Sequence, residues 1–276
     1  MERLLKYFFS LLFITLFSCN QAPQLDYSQL SPVERQQMTI RVDSMLEFYT
    51  QGSTIRQNML DTLIALNPNV ESYYRQKSIA HSHIGDFHLA FPLMEKAAAL
   101  QPESALFYYC WLLTYEYRDY NRALVRLEQY DQLTPDQTDV VWGRNIHFLK
   151  GLVRKQLGHQ QMAVQEFTTC IAEDGKNVYT YAYVYRGICY AELKAYDKAL
   201  ADFDTAIEDY AKCTMAYYYK AMTLLKMHRQ EEAIILLHQA EELLKQGYKE
   251  TNSNSEVFDE VHLEMVEDWL VKLENG

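Results

Sequence analysis

Residues 185–207 read YRGICYAELKAYDKALADFDTAI. Gly187 and Tyr190 come first, then Ala199, Phe203 and Ala206 at spacings of four and three. Positions i, i+4 and i+7 line one face of a helix. A small residue where two helices cross lets them approach closely, and a large one beside it fills the neighbouring groove. No metal-ligand spacing and no acid/base pair lies among them. The order is steric.

The pattern recurs. Ala233, Leu237 and Ala240 repeat it 34 residues later. Upstream copies are Ala163, Phe167, Cys170; Ala123, Leu127, Tyr130; and Ala90, Met94, Ala97. Before each alanine stands a short turn: Gly85-Asp86-Phe87, Arg118-Asp119-Tyr120, Gly158-His159-Gln160, Lys194-Ala195-Tyr196 and His228-Arg229-Gln230. Twelve residues before each alanine sits Ser78, Trp111, Gly151, Gly187 or Ala221. Only Trp111 breaks the small-residue rule.

This pattern resembles the tetratricopeptide repeat (TPR), a 34-residue antiparallel helix pair. Tyr183, Gly187, Tyr190, Ala199, Phe203 and Ala206 fall on that family's signature positions, and Pro68, Pro102 and Pro135 on its closing proline. The resemblance implies an all-α, right-handed superhelical solenoid of helix hairpins. The repeats fall at 71–103, 104–137, 144–177, 180–213 and 214–247, after a degenerate pair at 33–70. Arg186 and Lys220 depart from the family's preferred Leu. Residues 138–143, TDVVWG, are extra and are expected to lengthen the next helix rather than loop out. A capping helix is expected at 256–274, begun by Ser255, with Val257, Phe258, Val261, Met265, Trp269 and Leu270 on one face.

In the TPR family the first helix of each pair lines a concave face. Carried over, that face comprises Arg75, Ile79 and Ser82; Tyr108, Leu112 and Tyr115; Asn145, Phe148, Leu152 and Lys155; Tyr181, Val184 and Ile188; and Met215, Tyr218 and Met222, with Tyr185 and Tyr219 at its border. Tyr108, Tyr115, Phe148, Tyr181, Val184, Tyr185, Tyr218 and Met222 are the candidate partner-binding residues. Tyrosine offers a large contact area at low entropy cost and keeps a polar tip, which suits a peptide or another protein's helix. Packing between repeats is the competing role for each. Some family members grip a C-terminal carboxylate with paired Lys and Asn; those places hold mostly Tyr, Ile, Leu and Val here, so no such clamp is expected.

The first twenty residues are MERLLKYFFSLLFITLFSCN. Arg3 and Lys6 precede an apolar run, Tyr7 to Phe17, shorter than the ~20 residues of a spanning helix. Residues 1–18 therefore read as an export signal. Leu16-Phe17-Ser18-Cys19 resembles a bacterial lipobox, which implies lipidation of Cys19, membrane anchoring and a periplasm-facing chain. A plain secretory signal with Cys19 incidental is the alternative. Residues 19–32 read as a flexible tether, leaving 33–276 as the solenoid.

The 276-residue chain carries a net charge of −11, which disfavours nucleic acid as a partner. Cys110, Cys170, Cys189 and Cys213 show no framework and are expected to be small buried packing residues. His81 and His83 diverge on a helix, so no metal is expected between them. Asp202, Asp204, Glu208, Asp209 and the pairs Glu231-Glu232 and Glu241-Glu242 are expected on wet helix faces. No cofactor motif, phosphate loop or catalytic constellation is recognisable. The expected function is a membrane-anchored scaffold of the bacterial cell envelope that binds a peptide or protein in its concave groove. The alternative is an immunity protein or inhibitor that neutralises a secreted toxin or hydrolase.

Overall fold

The computed structural model describes residues 26–134, 139–141, 143–251 and 257–274. Cys19, Pro135, Trp142 and Ser255 lie outside the described residues. The chain forms two compact units that meet in sequence at Ala105 and Leu106. Both are built from antiparallel helix hairpins.

In the N-terminal unit, α1 (Pro32–Met45) pairs with α2 (Thr54–Leu66), and α3 (Glu71–His83) with α4 (Phe87–Leu100). Ser31 opens α1 with a reciprocal capping box to Glu34, satisfying two otherwise orphaned N–H groups. Residues 26–30 are not tether: Tyr27 and Leu30 are buried with Met38, Val42, Leu60 and Leu63. Arg35 fixes them by donating to the Tyr27 and Leu66 carbonyls, both at 3.0 Å. Burial of the Tyr27 ring contributes roughly 1.5–3 kcal/mol toward ordering this stretch.

The C-terminal unit carries α5 (Pro102–Trp111), which runs on as a π-helical turn over Leu112–Glu116, and α6 (Tyr120–Asp131). Then come α7 (Ile146–Gln156) and α8 (Gln160–Asp174), α9 (Tyr181–Glu192) and α10 (Tyr196–Asp209), α11 (Thr214–Lys226) and α12 (Gln230–Lys245), and α13 (Leu263–Glu274). Successive hairpins pack side by side, and α13 lies on α12.

The repeated alanine pattern forms the contact surface. All fifteen of its residues except Tyr130 are at 0 % exposure. The crossing residue explains itself by distance. A Cβ built on Gly187 would stand 2.7 Å from the Phe203 ring, and one on Gly151 2.6 Å from Phe167. Ser78, at the same place in α3, donates its hydroxyl to the Ala90 carbonyl at 2.9 Å. Trp111 breaks the rule, and its helix runs on in π geometry.

Each of these five hairpins turns through one left-handed residue: Gly85, Arg118, Gly158, Lys194 or His228. At four of them the next residue's N–H reaches back five positions, as from Ala195 to Tyr190 and from Arg229 to Leu224, both at 2.9 Å. That closes the last helical turn and satisfies its carbonyls.

Three expectations need correction. Of the extra residues 138–143, those described, 139–141 and 143, do not lengthen a helix. Val140 and Val141 pair antiparallel with Asn145 and Arg144, because β-branched residues suit a strand and Gly143, at φ +74°, turns the chain back. The capping helix begins at Leu263 rather than 256, and Val257–His262 are not helical. Asp202 is not on a wet face: it is buried and accepts two bonds from Arg186, at 2.7 and 2.8 Å. Arg186 stands where Leu was expected, and this fork–fork pair stitches α9 to α10.

The four cysteines are free and buried. Burial pushes the Cys170, Cys189 and Cys213 thiols up to about 12. Among the described residues no helix is long and apolar enough to cross a membrane.

Candidate functional site: a tyrosine groove in the C-terminal unit

The inner face of this unit is formed by the first helices of its hairpins. Tyr115 at the end of the π turn, Lys155 on α7, Tyr185 on α9 and Tyr219 on α11 come from four successive repeats. All four converge on two residues, Phe258 and Asp259. The chain reaches that place from α12. Gly247, at φ +86°, ends the helix, with Gly247 and Tyr248 N–H groups bonding back to Leu244 and Leu243 at 2.9 Å. The Tyr248 carbonyl then accepts from Thr214 at 2.5 Å, and Lys212 lies 3.9 Å from its ring centre.

Phe258 is the anchor. Its ring lies 5.4 Å from Tyr115 and 6.1 Å from Tyr120, with the Arg118 guanidinium 5.5 Å away. Tilted aromatic pairs at such distances add to plain area burial, and the cation adds a further attraction. The backbone is held as well. Tyr185 donates to the Phe258 carbonyl at 2.9 Å, and Tyr219 to the Asp259 carbonyl at 3.0 Å. Asp259 adopts φ +54°, a left-handed conformation that Asp tolerates better than most residues. Its carboxylate faces Lys155, whose ammonium donates to both oxygens at 2.8 Å. Val261 is buried behind it.

Glu250 forms a second contact. Tyr179 donates to it at 2.6 Å, and the Tyr185 hydroxyl, whose proton goes to the nearer Phe258 carbonyl, lies 3.4 Å away. The Arg144 guanidinium lies 3.6 Å from the Tyr179 ring centre. Lost hydration pushes the Glu250 carboxyl up to about 7, against the pull of the Tyr179 phenol, Arg144 and the Tyr185 phenol. Burial likewise raises Tyr115, Tyr179, Tyr185 and Tyr219 above the usual phenol range, so they are donors at any ordinary pH.

The candidate residues occupy different parts of this arrangement. Tyr115 and Tyr185 touch the segment directly. Tyr218 is buried, packs edge-on to Tyr219 at 5.2 Å and bonds with Trp269. Tyr181 is buried, with its ring 5.1 Å from that of Tyr179. Phe148 and Val184 are interior: Phe148 meets Phe167, Tyr179 and Tyr185 edge-on at 5.3–5.9 Å. Tyr108 stacks on Trp111 at 6.0 Å, and Met222 is half-buried. The face was expected to stand open; over Tyr115 and Tyr185 it is covered by residues 250 and 258–261.

Sequence reasoning did not single out Tyr179, Arg144, Glu250 or Asp259. Lys155 was placed on the right face but given no task. It holds a side-chain carboxylate without the paired Lys and Asn that the family uses for a terminal one. No sequence signal ties Lys155 to Asp259 across 104 residues. Elsewhere, His81 pairs with Asp86 at 3.2 Å, and among the described residues no group of three His, Cys, Asp or Glu is placed to hold a metal ion.

The fold is of the TPR type. YrrB, a TPR protein with an unusual peptide-binding site, is 18 % identical and matches 67 % of this chain and 92 % of its own at a TM-score of 0.51. MamA is 20 % identical over 63 % of this chain and 99 % of its own, also at 0.51. PilW, a widely conserved type IV pilus biogenesis factor, is 10 % identical over 78 % of this chain and 96 % of its own, at 0.55. In sequence, the chain is 29 % identical over 113 residues to anaphase-promoting complex subunit 3 of Schizosaccharomyces pombe. That match takes in 40 % of this chain and 16 % of the relative's length. No family model matches the chain.

Proposed function

We propose that this chain is a membrane-tethered scaffold of the bacterial cell envelope that grips a polypeptide partner on the inner face of its C-terminal unit. One observation carries this reading: four successive first helices supply Tyr115, Lys155, Tyr185 and Tyr219 to hold an aromatic ring, a carboxylate and two backbone carbonyls of one short non-helical segment. A face that binds backbone carbonyls and two neighbouring side chains together is suited to a peptide ligand. The peptide-binding site of YrrB on a similar fold is in keeping with this.

The tether is the lipid on Cys19. One acyl chain anchors only marginally, at ~0.8 kcal/mol per buried methylene, so several chains are needed for stable attachment. Anchoring raises the partner's effective concentration at the membrane. A photoreactive residue in place of Met222, at the groove, is expected to crosslink the partner in intact envelopes, and one in place of the exposed Ile235 is not. Cys19→Ala is expected to move the protein to the soluble fraction. Crosslinks from position 235 alone, or a membrane fraction indifferent to Cys19, would overturn the corresponding half.

A further inference from the structure

The geometry points to a specific ligand chemistry for the groove: a turn-forming segment in which a phenyl side chain is followed directly by a carboxylate, with Phe258-Asp259 occupying the site in cis until such a segment from a partner displaces it. This rests on the groove reading above and adds what the groove recognises. Three independent contacts define the motif. The cage of Tyr115, Tyr120 and Arg118 accepts a flat apolar ring with its face toward a cation. Lys155, nearly buried, is 2.8 Å from both oxygens of the adjacent carboxylate. Tyr185 and Tyr219 donate to the carbonyls of those same two residues.

Two of these contacts read side chains, and the other two read backbone that any peptide has. The groove therefore selects for the pair and not for the rest of residues 257–262. Local charge agrees. The carboxylate of the pair has its own counter-charge in the groove: the Lys155 ammonium meets it directly. The cis segment also carries a mark of a replaceable occupant. Asp259 holds a positive φ, and Val257 and residues 260–262 beside the pair are not helical. Occupation in cis lowers the apparent affinity for any partner by the fraction of time the groove is filled. It thereby rejects sequences that lack either half of the motif.

The test uses full-length protein and a fluorescein-labelled hexapeptide, VFDEVH, the sequence of residues 257–262. In the chain carrying Phe258→Ala with Asp259→Gly, the peptide is expected to bind at least ~10-fold more tightly than in wild type. Adding Lys155→Met is expected to cancel ~10-fold or more of that binding, and to do nothing for VFNEVH. Equal binding to wild-type and freed chains, or indifference to Lys155, overturns the proposal and leaves the groove as ordinary interior. A freed chain that dimerises by exchanging its C-terminal segment, seen by sedimentation, overturns it in favour of a second copy as occupant.

If the freed chain loses its helical circular dichroism, the same question is asked with p-azidophenylalanine at position 258. Excess VFDEVH at about 5 mM, the scale of a short tether's effective concentration, is expected to suppress its intramolecular adduct ~3-fold or more. An unchanged adduct overturns the proposal. Failure here with crosslinks retained at position 222 would leave the scaffold standing and remove only the motif.

Discussion

Lys155 and Asp259 stand 104 residues apart in sequence, and the ammonium of one meets both carboxylate oxygens of the other at 2.8 Å. Lys155 lies on α7, in the middle of the C-terminal unit; Asp259 follows the last repeat. Their pairing converts what would be a free tail into part of the inner face. Removing one partner leaves the other charge poorly hydrated. Lys155→Met and Asp259→Asn are each expected to lower unfolding stability by about 1–3 kcal/mol, the lower end reflecting the partial exposure of Asp259. The double variant is expected to lose less than the sum of the two. Strict additivity in urea titrations would show that the pair is not coupled.

Glu250 sets a pH dependence of known sign. Its carboxyl is raised from 4.5 to about 7 by lost hydration, facing Tyr179, Tyr185, Arg144 and Glu260. A raised acid binds its proton more tightly in the folded state. The stability it confers is full below pH 4.5 and is lost as pH rises through 7. Wild type should therefore melt progressively lower from pH 5 to pH 8, and Glu250→Gln should fall less over that range. His147 is also raised, first by its bond to Glu166, but it is common to both proteins and cancels in the comparison. Parallel curves would contradict this role for Glu250.

Gly187 and Gly151 are required by close approach. Alanine at either would drive a Cβ to within 2.6–2.7 Å of Phe203 or Phe167. Over-packing typically costs about 1–3 kcal/mol, and the better helix propensity of alanine offsets less than ~1. Gly187→Ala is expected to lower the melting temperature, and pairing it with Phe203→Leu to recover part of the loss. A neutral Gly187→Ala would mean that the helices have room to part.

Lys194 and His228 hold the same left-handed turn that Gly85 and Gly158 hold, at φ +61° and +60°. The conformation costs a side-chain-bearing residue roughly 1–2 kcal/mol, partly balanced by glycine's greater freedom when unfolded. Lys194→Gly and His228→Gly are each expected to stabilise by about 0.5–1 kcal/mol, read as a shift in the urea midpoint. Destabilisation would show that these side chains make contacts worth more than the strain.

The hairpins were legible because their signal is local and repeated. Ala199, Phe203 and Ala206 announce a buried face within eight residues, and four more copies of the pattern say the same. The segment over the groove was not legible for the opposite reason. Phe258, Val261 and Met265 keep helical spacing, so periodicity assigned them to a helix, while the cage of Tyr115, Tyr120 and Arg118 draws Phe258 out of it. That competition is decided by tertiary contacts from another part of the chain. Val140 and Val141 misled similarly: a two-residue strand is too short for alternation to reveal it. Asp202 looked wet among its acidic neighbours because its partner, Arg186, lies one hairpin helix away.

The most direct measurement is intramolecular photocrosslinking from position 258. With p-azidophenylalanine in place of Phe258, mass spectrometry of the irradiated full-length chain should find adducts in the peptides holding Tyr115 and Tyr120. Adducts confined to neighbours of 258 in sequence, or none within the chain, would mean that the segment does not lie in the groove.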